Sequence, residues 1–365
     1  MKTVVISDGK YRSSLAAARD LGRRGYRVIV TQTRAESPSE PPVFASRFAQ
    51  GVWIDGSTAD PDYPDRLLRV LSRFERPVLL CVGAGTLNRV AQARERFAQA
   101  ADFLIADPQT LDALNDKQQV HARALELGLP VPRQYQGTPD QYPVVLKPRC
   151  GEKLGLKAAA RYSVAQDAAQ FQKQYEAIRR LDPEPIIQAL IQGPGRGVSL
   201  LLGQKSELLG AICHRRIREY PMQGGPSTCC VTEYDEARIE LARRLLQSFG
   251  FVGLAMVEFK GDSILEVNPR IWGSFPLVPF AGSPIVERYV RAAAGEALSY
   301  EAADYEIGKP MRFCLNDLAA SADLLRHGRL RAGCAGLLDF FRVREGLKDE
   351  ADRMAYRAYL RSYFK

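Results

Sequence analysis

Residues 251–273 read FVGLAMVEFKGDSILEVNPRIWG. Two short apolar runs, over 253–259 and 263–267, flank Lys260-Gly261-Asp262, a composition that turns a chain back on itself and predicts a hairpin. Each predicted strand carries a carboxylate in an apolar setting, Glu258 in the first and Glu266 in the second. Asn268 follows Glu266 at period two, so on a continuing strand both side chains leave the same face. Glu258 joins them if the pairing register brings it opposite. Two carboxylates and an amide oxygen are hard ligands that suit magnesium, whose remaining positions go to water and phosphate oxygens. Arg270, two residues further on, is placed to neutralise a phosphate or a developing negative charge. The same pattern also reads as two solvent-facing strand carboxylates followed by an Asn268-Pro269 turn.

The run Met256-x-Glu258-Phe259, followed by Leu265-Glu266-Val267-Asn268-Pro269-Arg270, resembles the metal-binding hairpin of the ATP-grasp superfamily. Within it the chain is most similar to carboxylate–amine and related carboxylate–thiol ligases, amino-acid ligases and carbamoyl-phosphate-synthase-like enzymes among them. The likeness extends over about residues 1–310 in the expected order. It implies an α/β chain with the ATP-grasp fold: a parallel α/β domain over 1–114 and a grasp domain over 115–310. The grasp domain divides into a small lid part over about 115–190 and a larger part over about 191–310. Beyond the likeness, residues 311–365 are expected to pack on it as an extension, with a basic-aromatic membrane or partner surface of Arg342, Arg344, Tyr356, Tyr359, Tyr363 and Phe364 as the alternative. It further implies an enzyme that uses ATP with Mg2+, or Mn2+ in its place, to activate a small carboxylate as an acyl phosphate and pass it to an amine. An amino acid or an acid derived from one is the expected carboxylate. A biotin-dependent carboxylase and a nucleotide-binding regulatory module without turnover are the rival readings.

Bulk properties agree with a globular enzyme. The 365 residues suffice for two or three compact units, and 46% hydrophobic content supports real cores. A formal charge of +9 suits anionic small molecules, and without a lysine-rich tail or a basic stripe it does not suggest nucleic acid. Seven scattered cysteines, none in a C-x-x-C pair, fit a reducing, cytoplasmic setting. No apolar run reaches the ~18 residues of a spanning helix, and the first residues lack the pattern of a signal peptide. A homodimer is compatible with the resemblance.

From the amino terminus, strands over 3–7, 26–31, 52–54, 78–82 and 103–106 alternate with helices over 12–24, 63–74 and 86–99, a pattern that predicts a parallel sheet. There is no G-x-G-x-x-G to mark a dinucleotide site. Asn115-Asp116-Lys117 opens a helix that Gly128, Pro130 and Pro132 close. Lys117 at its first turn matches the family's first phosphate-facing lysine, and otherwise reads as a surface lysine. Lys147, at the end of the apolar run 144–146, matches the second. The loop 149–157, RCGEKLGLK, resembles the lid over the triphosphate; Gly151, Gly155, Lys153 and Lys157 are its candidate contacts, with a flexible turn as the alternative. The strand over 185–191 ends where the family reads adenine, here Gln188, Ala189 and Leu190. Ala189 replaces the acidic residue usual at that position, which leaves the ribose contact in doubt.

Arg216 and Arg218 alternate onto one face of a predicted strand and, with the loop Gly224, Gly225, Ser227 and Thr228, form a candidate site for the carboxylate and its acyl phosphate. A solvated basic edge is the plain alternative. His214 reads as a satisfied histidine more readily than as a general base. Trp272 and Ser274 form the wall next to Arg270 and are candidates to touch substrate. The segment 311–365 predicts short helices with a strand over 337–342.

Overall fold

The computed structural model describes residues 2–150, 162–221 and 225–363. Its amino-terminal part is a parallel sheet of β1 (Thr3–Ile6), β2 (Arg27–Thr33), β3 (Gln50–Ile54) and β4 (Val78–Leu80), in the order β3-β2-β1-β4. Val4, Val5, Ile6, Val28, Ile29 and Val30 are all buried, as expected of strands covered on both faces. Helices α1 (Arg12–Arg23) and α2 (Tyr63–Leu71) link them, and the helical stretch that follows is two helices, α3 (Ala84–Gln92) and α4 (Arg94–Ala100). The strand expected over 103–106 does not form. Only Asp102 bridges to Val78, and the Leu104 amide donates to the Tyr289 hydroxyl, so this buried run connects rather than pairs. Helix α5 (Pro108–Asn115) follows, capped by Asp107, and then α6 (Lys117–Glu126), capped by Asp116.

A small antiparallel sheet, β6-β5-β7, comes from β5 (Val144–Lys147), β6 (Ser163–Ala165) and β7 (Ile186–Ala189). Helix α7 (Ala168–Arg179) covers it through Phe171 and Ile178. A larger antiparallel sheet contains β8 (Gly195–Leu202), β9 (Leu208–Glu219), β10 (Ser227–Glu233), β11 (Gly253–Lys260), β12 (Ser263–Asn268) and β13 (Pro310–Arg312), in the order β12-β11-β8-β9-β10-β13. Period-two alternation assigns its faces. Leu200, Leu202, Ala255 and Val257 pack with Ile239, Leu245 and Leu246 of α8 (Glu236–Gln247), whereas Leu201, Leu254 and Met256 belong to the opposite core. Glu258 continues the Leu254–Met256 face, away from α8.

The chain continues through α9 (Leu277–Phe280), α10 (Ile285–Ala293), α11 (Cys314–Arg326), α12 (Leu330–Arg342) and α13 (Arg353–Ser362). The strand expected over 337–342 is the last part of α12. A short apolar run does not by itself distinguish a strand from a helix, and here Gly333 and Gly336 let α12 lie close on α11. A Cβ at Gly333 would meet Leu325, and one at Gly336 would meet Ser321 Oγ and Arg218 Nε. Strand β13 pairs with β10, and Arg312 in turn bridges to Glu345. No helix among the described residues is long and apolar enough to cross a membrane.

Gly197, opposite Glu258 in the β8–β11 pairing, leaves room for the His214 ring. A Cβ there would lie 2.3 Å from His214 Cε1 and 2.8 Å from Met256 Sδ. Gly197→Ala is therefore expected to destabilise the protein by roughly 1–3 kcal/mol through overpacking. Thermal melts of the two proteins check this, and an unchanged midpoint would mean that the ring relocates freely.

Candidate active site

The hairpin turns through Gly261, whose φ of +54° glycine tolerates without strain. In its register Glu258 lies directly opposite Glu266, and Met256 opposite Asn268. A bulge after this pair sets Leu265 and Glu266 against one residue of β11. Glu258, Glu266 and Asn268 all line one cavity of about 360 Å³, so the face predicted from the sequence is the face observed. Asn268 Nδ2 donates to Glu258 Oε1 at 3.0 Å.

Cations surround this floor from separate elements. Lys117, fixed in the first turn of α6 by the Asp116 cap, places its Nζ 3.3 Å from Glu266 Oε2. Lys147, at the end of β5, donates to the Leu265 carbonyl at 3.3 Å. Burial pulls the Lys147 ammonium down to about 8, against the opposing pull of Glu266. Burial by itself would push the Glu266 carboxyl up, but the charges of Lys117 and Lys147 hold it below its usual value. Arg270, Trp272 and Ser274 complete the wall of the cavity, together with Gly225 and Ser227.

The two arginines of β9 part company. Arg216 lines the cavity, pairs with Glu258 at 2.5 Å and lies 3.6 Å from Glu219; its buried Nε has no hydrogen-bond partner among the described residues. Arg218 is turned away and buried, forming a fork with Asp317 at 2.8 and 2.9 Å and a further bond to Asp339 at 2.8 Å. The expectation that both share one face fails because the β9–β10 register shifts twice. Cys229 faces Arg218 and Cys230 faces Arg216, so Ile217 is an extra residue on β9 and the alternation breaks there. Thr228 follows Arg218: its hydroxyl donates to Asp317, away from the cleft. His214 also lies behind the wall. Burial, reinforced by the nearby Arg216 charge, holds it neutral, down to about 3, and its Nε2 is 3.2 Å from Ser274 Oγ.

A second cavity of about 450 Å³ shares Lys147, Arg216, Glu258 and Glu266 with the first and extends toward the small sheet. Gln188, Ala189 and Leu190 line it. The amides of Ala189 and Leu190 already donate, to Arg133 O and Pro143 O. Tyr162, Glu219 and Arg329 also line this cavity, and the sequence did not mark them. Arg329 precedes α12, about sixty residues beyond Glu266 in sequence, and only the packing of α11 and α12 brings it there. The candidate contacts Gly151, Lys153, Gly155, Lys157 and Gly224 lie outside the described residues.

The ATP-grasp domain family matches residues 114–274. The carbamoyl phosphate synthase large chain of Vibrio parahaemolyticus is 25% identical over 326 residues, which are 82% of this chain and 28% of that one. That of Methanosarcina mazei is 26% identical over 271 residues, 66% and 24% of the two chains. This chain thus spans about a quarter of the length of the curated relatives it matches. Among solved structures, a Campylobacter jejuni biotin carboxylase superposes with a TM-score of 0.64 at 15% identity, covering 85% of this chain and 74% of that one. The N5-carboxyaminoimidazole ribonucleotide synthetase of Thermotoga maritima gives 0.56 at 16% identity, covering 85% and 79%. At such identities the solved structures establish the fold. Residues 114–274, which contain the facing carboxylates near their end, match the ATP-grasp domain family, and the superpositions give the chain the fold of those solved structures.

Proposed function

We propose that the protein is an ATP- and magnesium-dependent ligase that activates a carboxylate as an acyl phosphate and transfers the acyl group to an amine. The observation that carries this reading is the facing pair Glu258 and Glu266, with Asn268, where the two cavities join. Among the described residues no three His, Cys, Asp or Glu side chains cluster to hold a metal unaided. Two carboxylates and an amide fit an ion that takes its other oxygens from phosphate and water, as magnesium does. When bound, that ion supplies positive charge to the phosphates and keeps them in line.

The chain's own groups divide the remaining work. The end of the second cavity lined by Gln188, Ala189 and Leu190 receives the base. Since two amides there are already engaged, recognition falls to carbonyl oxygens or to Ile191, which lines the same cavity. Lys117, Lys147 and Arg270 offset phosphate charge. Arg216, whose Nε has no partner among the described residues, orients the substrate carboxylate. A carboxylate oxygen attacks the γ-phosphorus, and the bond from phosphorus to the ADP oxygen breaks. An amine nitrogen then attacks the acyl carbon, the C–N bond forms, and the C–O bond breaks with phosphate leaving. The carboxylate is an amino acid or an acid derived from one.

A second reading follows from relatives solved with bicarbonate and with MgADP, in which bicarbonate is the acid. The experiment is ADP and phosphate release across a panel of acids and amines, with the condensed product identified by mass. Release is expected to need both substrates and to stop when EDTA removes the metal. Release that needs only bicarbonate moves the assignment to the second reading. Tight ATP binding with no ADP formed across the panel would leave a regulatory nucleotide-binding module.

A further inference from the structure

Beside the main cleft, a cavity of about 300 Å³ opens between the loop after β1 and helix α13, neither of which belongs to the matched segment. Its walls are Lys10, Tyr11 and Arg12 on one side and Tyr359 and Tyr363 on the other. The loop is held firmly. Asp8 accepts from the Gly83 amide and from Thr86 Oγ1, each at 2.9 Å. Arg12 joins this cavity to the cleft: its Nε donates to the Gly273 carbonyl at 2.9 Å, and Gly273 lines the main cavity. Arg270 is near enough for its charge to act on the Tyr11 hydroxyl.

The lining specifies a chemistry. Lys10 is already paired with Glu36 at 2.7 Å. The Arg12 guanidinium stacks on Phe313 at 3.5 Å, and no carboxylate among the described residues lies within ion-pairing distance of it. Tyr359 and Tyr363 meet edge to face at 5.2 Å. Their hydroxyls bond to each other at 2.6 Å, and that of Tyr363 donates to Asn316 Oδ1 at 2.6 Å, which leaves ring surface rather than polar groups for a ligand. Such rings favour a flat, unsaturated body, and an arginine with spare donors favours a carboxylate.

We propose that this cavity binds the amine substrate, and that this substrate is an amino acid or short peptide with a free carboxylate on Arg12 and an aromatic side chain between Tyr11 and the α13 tyrosines. The inference rests on the ligase reading. It adds where the attacking amine comes from: bound here, its nitrogen points toward the acyl carbon in the main cleft, forms the C–N bond, releases phosphate and gives up its proton to solvent.

Hydroxylamine separates the two claims, because it intercepts an acyl phosphate as a hydroxamate without needing an aromatic pocket. With phenylalanine as acceptor, Tyr11→Ala and Tyr363→Ala, both at exposed positions, are expected to raise KM by about 10-fold or more, the loss of one aromatic contact. KM for hydroxylamine should not rise, and Tyr11→Phe should restore the phenylalanine value. The native protein should prefer phenylalanine to phenylalaninamide, and Arg12→Gln should erase that preference. Equal use of phenylalanine and alaninamide by the native protein would overturn the assignment. So would variants whose phenylalanine and hydroxylamine reactions decline in parallel, since that marks a structural role. Absence of any hydroxamate from the native protein would instead remove the ligase reading, and this inference with it.

Discussion

Glu266→Gln is expected to leave the protein folded and able to bind nucleotide but to lower turnover by at least ~100-fold, or ~2.7 kcal/mol in the barrier. The substitution keeps shape and hydrogen-bonding capacity and removes one unit of negative charge from the carboxylate pair. Magnesium is held chiefly by such charge. Lys117, 3.3 Å away, loses its counter-charge in the same change. Magnesium-dependent ADP release at saturating ATP, with melting curves as the folding check, measures the effect. Glu240→Gln is the control, because that residue pairs with Arg243 on the outer face of α8 and should turn over as the native protein does. Near-normal turnover in Glu266→Gln would take the hairpin out of the active site.

The second large effect is on stability. Asp317 is fully buried and holds Arg218 through two bonds, accepts from Thr228, and lies 3.6 Å from Arg312. Arg312 is itself fully buried, and none of its side-chain nitrogens has a hydrogen-bond partner among the described residues. Asp317→Ala therefore removes the buried carboxylate beside both guanidinium groups and leaves Arg218 with Asp339 alone among the described residues. Breaking a buried pair from one side costs about 3–5 kcal/mol, which in a chain of this length lowers the melting temperature by roughly 5 °C. Asp339→Asn also loses a bond to Arg218, but its side chain is a quarter exposed, and about 0–1 kcal/mol is expected. Differential scanning calorimetry of both variants tests the ranking, and two equal, small losses would show that water reaches the cluster.

The hairpin and its face were legible because they depend on local rules: a glycine turn, period-two alternation and two carboxylates in apolar surroundings. The parallel sheet was legible for the same reason, through its alternating strands and helices. The divergence of Arg216 and Arg218 was not, since a bulge inserts one residue without leaving a mark in composition. Residues 103–106 are as apolar as a strand, but pairing depends on a neighbour, and here a tyrosine hydroxyl takes the Leu104 amide. Glycines at 333 and 336 gave no hint in isolation that residues 337–342 are helical; their role becomes visible against Leu325 and Ser321. Arg329 and Tyr162 reach the second cavity by tertiary packing, which no local pattern encodes.

The short strand β13 has a consequence for how copies of the chain meet one another. Three residues, beginning with a proline that donates no backbone hydrogen bond, cover the outer side of β10, and the Arg344 carbonyl and Gly346 amide then occupy the amide and carbonyl of Arg312. The Ile264 amide on the far strand donates to the Pro130 carbonyl. Both rims of the six-stranded sheet are thus partly closed by the chain itself. A chain ending before residue 310 would bare the backbone donors and acceptors of β10, an apolar strand carrying Cys229, Cys230 and Val231, to any second molecule with an open strand. Residues 310–346 in this way cover the edge that such an association would use.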